Sequence, residues 1–160
     1  MKPILKLALA GLAMSFILNS GQALAQAEKF DSTMLGTSRQ FLELPVIEPV
    51  GPLTRMTVHV LWSVEASEPG LSGLQEIVGV WMIDPRDGSV VGHGKWTMAL
   101  TMGGEAEGTW TEDSSGTMHA VGFITGGDLD GAILNIVSVA GHPLVGWVKY
   151  EVRVLLPGGE

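Results

Sequence analysis

The sequence has 160 residues, with 22 glycines, five tryptophans, no cysteine and a formal net charge of −8. Without a thiol the chain forms no disulfide, carries no cysteine nucleophile and builds no cysteine-ligated zinc or iron–sulfur site. The acidic balance excludes phosphate-backbone binding, which depends on clustered Lys and Arg, so no nucleic-acid partner is expected.

The first residues, MKPILKLALAGLAMSFILNSGQALAQ, combine Lys2 and Lys6 with an apolar run over Leu7 to Leu18 and end in the small-residue pattern Ala23-Leu24-Ala25. That layout predicts a secretory signal peptide over 1–25, cut after Ala25, because a stable membrane span needs roughly 20 apolar residues. Export by the general secretory route to the periplasm or the medium follows as the expected localisation. Cleavage takes two lysines away and leaves seven basic against seventeen acidic side chains, a net charge of −10.

Residues 26–40 are polar without a sustained period and predict a flexible leader, which places a single domain at 41–160. Prolines at 45, 49 and 52 restrict any strand near 41–48 to an edge. From Met56 onward, short runs rich in Val, Ile, Thr and Trp alternate with glycine-containing turns, predicting strands at 56–66, 75–84, 89–102, 105–112, 117–125, 131–140 and 144–156. The stretch 66–75 is the one connection long enough to predict a mobile flap. Gly-x-Trp recurs as Gly79–Trp81, Gly94–Trp96 and Gly108–Trp110, at intervals of 15 and 14 residues, the length of one strand plus one tight turn. The fold class is therefore all-β: a small antiparallel up-and-down barrel of seven or eight strands, with a two-sheet sandwich as the alternative. The aromatic residues do not form the two girdles of a membrane barrel, so no stable membrane insertion is expected.

The hairpin GEAEGTWTEDSSGTMHAVGF, residues 104–123, carries the densest chemistry. Alternation puts Ala106, Gly108 and Trp110 on one face with Met118, Ala120, Gly122 and Ile124. Glu105, Glu107 and His119 fall on the other, where they form either a solvated face or an acid–base or metal cluster. Val121 and Phe123 on that side suggest cover by a second subunit or the leader. The histidines at 59, 93, 119 and 142 show no metal-binding spacing, and His142, before Pro143 in a turn, is expected to be exposed. No metal or cofactor is assigned. Trp62, Trp81, Trp96, Met98, Trp110 and Met118 are the candidate ligand-binding residues, because aromatic and thioether side chains at this density suit an apolar pocket in a barrel.

The stretch VGHGKWTMALTMGGEAEGTWTEDSSGTMHAVGFITGGDLDG, residues 91–131, resembles the β-barrel superfamily of allene oxide cyclase and the dirigent proteins, through its glycine-flanked strands, Gly-Thr-Trp-Thr run and Gly-x-Leu-Asp-Gly turn. The resemblance implies an eight-stranded, often oligomeric barrel with an apolar cavity, whose members cyclise or steer reactive small molecules. It transfers no catalytic residue to this chain. Three readings of function stand. The first is an exported barrel that binds a small apolar or aromatic molecule inside without transforming it. The second is a cofactor-independent cyclase or isomerase using a buried carboxylate or histidine. The third is a non-catalytic structural or interaction protein of the cell envelope, with a solid barrel.

Overall fold

The computed structural model describes residues 28–158; the predicted signal peptide lies outside them. Eight strands, β1 (Lys29–Val50), β2 (Leu53–Ala66), β3 (Gly73–Ile83), β4 (Val90–Leu100), β5 (Glu105–Glu112), β6 (Met118–Thr125), β7 (Ile133–His142) and β8 (Trp147–Leu155), follow one another in chain order. Each pairs antiparallel with the next, and β8 pairs with β1, so the sheet closes into a barrel rather than a sandwich. The described residues contain no α-helix, only the single 3-10 turns Pro69–Leu71 and Pro143–Val145. The tight connections follow from turn chemistry. Between β5 and β6, Asp113 Oδ1 accepts the Ser115 amide at 2.9 Å, and Gly116 takes the positive φ of 81° that closes the turn.

Two expectations fail. The flexible leader is a strand: Lys29 to Thr37 pair with Leu155 to Trp147 and close the barrel. Its inward side chains include Phe30, Ser32 and Met34, and the small polar Ser32 masks the alternation. The barrel domain therefore includes Lys29 to Gln40, which the sequence placed outside it. The expected edge strand near 41–48 is the far half of this same β1, paired with β2 alone and slipping register between Ser38 and Val46. The flap at 66–75 is likewise anchored. The Ser67 amide donates to Thr33 O at 2.9 Å, the Ala66 amide to Ser72 Oγ at 3.0 Å, and Leu71 is fully buried at the end of the barrel.

The inward faces form one apolar core holding Trp62, Trp81, Trp96 and Trp110, while Trp147 faces out. The Gly-x-Trp rhythm is how three of these indoles, Trp81, Trp96 and Trp110, fit one small barrel. Trp110 lies opposite Gly94, itself opposite Gly79; Trp96 lies opposite Gly108, itself opposite Gly122. Each ring is laid sideways over the neighbouring strands. A Cβ at Gly79 would sit 2.2 Å from Trp110 Cζ2, and one at Gly122 would sit 2.3 Å from Trp96 Cζ2. Trp81 and Trp110 pack with centroids 4.8 Å apart and planes tilted by 32°. Outside, Glu76, Lys95, Glu105, Glu107, Lys149, Glu151 and Arg153 face solvent. They alternate there with exposed apolar side chains such as Leu74, Val78, Val121, Phe123 and Ile133.

Candidate functional site

The six candidate ligand-binding residues do not surround one cavity. All are buried, and the void at the barrel's centre, touched by Trp96, Trp110 and Met118, measures about 20 Å³. That is space for about one water. Met98 is buried in the core. Trp62 and Trp81 also line an apolar pocket of about 150 Å³ at one mouth of the barrel, and Met98 borders an open groove on the outer side of β3 to β5.

The mouth follows from the register. β1 and β8 part after Thr37 and Trp147, with one further bond, from the Ser38 amide to Gly146 O at 2.9 Å. Beyond that point β1 keeps β2 as its one partner, while β2 stays paired with β3, and the Pro143–Val145 turn lies beside the gap left between β1 and β8. Phe41 of β1, Met56 and Val58 of β2, the two indoles and Leu144 of the turn wall the pocket.

Behind this wall lies the site's one charged element. The Glu112 side chain, 0% exposed, accepts the Trp81 indole N–H on Oε2 at 2.6 Å and meets His142 Nε2 through Oε1 at 2.6 Å. His142 Nδ1 accepts the Leu144 amide at 3.1 Å, which assigns the ring proton of the neutral imidazole to Nε2 and makes it the donor to Glu112. The chain of bonds Trp81–Glu112–His142–Leu144 thus begins and ends on walls of the mouth pocket. His142, expected to be exposed, is 22% exposed and held in this chain. Tyr150, deep in the barrel, has its phenol pushed well above the ordinary tyrosine value, first by burial and then by the Glu112 charge. It therefore stays protonated at neutral pH.

Chemically, the pair is occupied. Each Glu112 oxygen already has a donor, and both imidazole nitrogens are engaged, so the arrangement positions the pocket's walls and presents no free base to it. Glu112 was legible in part, since the alternation Ala106, Gly108, Trp110 runs on to a carboxylate facing inward. Its partner 30 residues away was not.

The other predicted cluster is not brought together. Glu105 and Glu107 stand on the outer face of β5, opposite Thr125 and Phe123, whereas His119 stands opposite Thr111. Thr111 lies four residues beyond Glu107, about 13 Å at the rise of a strand. His119 Nε2 instead faces Asp113 Oδ2 at 3.8 Å. His59 contacts Glu43 through Nδ1 at 3.5 Å and Glu76 through Nε2 at 3.3 Å, on opposite sides of its ring. Among the described residues no three His, Asp or Glu side chains converge as a metal ion requires, and no helix is long and apolar enough to cross a membrane. No protein-family model matches the chain, and no curated protein matches it at a significant level.

Proposed function

We propose that this is an exported barrel protein that binds a small apolar or aromatic molecule, and that the ligand sits in the mouth rather than at the centre. The observation that carries this reading is the apolar mouth pocket of about 150 Å³ ending on Trp62 and Trp81. A dry cavity of roughly that size accommodates one benzene ring. The ligand, or the part of it that enters, is then a single ring or a short aliphatic tail. The buried Glu112 carboxylate behind the wall disfavours an anionic group entering there.

The test is titration with toluene, followed by methyl NMR. Saturable shifts of the Met56 and Leu144 methyls, with Leu134 and Val154 unmoved, are the expected result. No shift at any concentration up to toluene's solubility overturns the reading, as do shifts confined to Met118 and Ile136 around the central void. Export is tested separately by the mass of the protein recovered outside the cytoplasm, which is expected to begin at Gln26.

Two other readings each have an observation in their favour. The Glu112–His142 pair beside the pocket favours a cyclase or isomerase of allene oxide cyclase-like type, which requires one of these groups to be released to the substrate. The nearly solid centre, with Leu44 88% exposed on the open half of β1, favours an envelope interaction protein or a homo-oligomer.

A further inference from the structure

We infer that the centre of the barrel binds one ordered water, held by Gln75, Trp96 and Trp110. The central void of about 20 Å³ is lined by these three side chains together with Met34, Met118 and Tyr150. Gln75 Oε1 and the indole Nε1 atoms of Trp96 and Trp110 are buried and have no protein partner. Buried polar atoms in folded proteins are paired with protein or with ordered water, so three orphans around one void point to a common partner.

Size and chemistry both select water. A single water needs roughly 10–15 Å³ of such space, and a buried one makes about three hydrogen bonds. The two indole N–H groups donate to the water's lone pairs, and one of its protons goes to Gln75 Oε1. A cation would meet two N–H donors. An anion would meet the Gln75 carbonyl oxygen and lie in the field of Glu112, whose charge already bears on neighbouring Tyr150. Nothing larger than a few atoms fits. The glycine ladder brings the rings close over the strands: a Cβ at Gly94 would sit 2.7 Å from Trp110 Nε1, and one at Gly122 would sit 2.3 Å from Trp96 Cζ2. This site is separate from the mouth pocket and stands whether or not that pocket binds a ligand.

The test is water–protein NOE and ROE spectroscopy on the ¹⁵N-labelled full protein, in which the sign of the cross-peak separates a bound water from proton exchange. Trp96 and Trp110 Nε1–H are both expected to show direct cross-peaks of the long-residence sign to water, and the Gln75→Met variant to lose at least half of that intensity. Absence of cross-peaks at both indoles in the native protein overturns the inference, whether or not the variant folds. A crystal structure in which Gln75 Oε1 accepts directly from one of the indoles overturns it as well.

Discussion

The indoles of the core depend on side chains missing beside them, Trp110 on those of Gly79, Gly92 and Gly94. At Gly79 a methyl group would sit 2.2 Å from Trp110, whose ring is packed against Trp81 and Gly94. Gly79→Ala is therefore expected to destabilise the barrel by about 1–3 kcal/mol, the usual cost of overpacking a filled core, read from the denaturant midpoint. An unchanged midpoint would mean that the indole is free to move. Glu112 makes the opposite kind of demand, since its removal leaves the Trp81 and His142 donors without an acceptor at about 1–3 kcal/mol each. Glu112→Ala and His142→Ala are expected to be non-additive, with a coupling of about 1–3 kcal/mol in a double-mutant cycle. A coupling near zero would show that the 2.6 Å contact contributes nothing to stability.

Among the elements, the β3–β4 turn offers a clean electrostatic readout. Asp84 accepts from the Arg86 side chain, Nε at 2.8 Å, and from its backbone amide at 2.9 Å, which hold the Asp84 carboxyl at about 2, below its ordinary value of 3.8. The folded value is depressed, so this contribution to stability is complete above about pH 4 and disappears as the pH falls through about 2. In Arg86→Ala the Asp84 titration followed by NMR is expected to move up toward 3.8; a midpoint still near 2 would assign the depression to the backbone alone. Legibility also varies element by element. Strands β2 to β8 were readable because Val, Ile and Trp alternate with polar residues and glycine marks each turn. The first half of β1 was not, because its inward positions include Ser32 and Gly36, and a strand that buries a serine looks like a leader. The mouth pocket was unreadable for a different reason: it exists where β1 leaves β8, a fact of register between segments more than 100 residues apart. The pairing of Glu112 with His142 likewise depends on how far β5 and β7 extend past each other.

At the level of the whole molecule, everything hangs on closure. The β1–β8 seam joins the two ends of the described residues through nine paired positions, Lys29↔Leu155 to Thr37↔Trp147, and carries Met34 into the core. Such long-range pairing is slow to form but leaves β8 no open edge, and a single apolar core behind it should unfold in one cooperative transition. A flexible leader could be deleted at little cost; half of a closing strand could not. Loss of Met34 alone is worth about 2–5 kcal/mol as a core truncation, and a domain's entire stability is about 5–15 kcal/mol. A chain beginning at Ser38 would lose that side chain, the nine paired positions and the cover of Tyr150 and Val152 together. It is expected to lack a cooperative thermal transition and to aggregate through the bared edge of β8, as read by circular dichroism and size-exclusion chromatography. A truncated chain that stayed monomeric and kept its Tm would show that the barrel stands without its closing seam. The mouth, which opens only because β1 pairs with β8 over part of its length, would then need another origin.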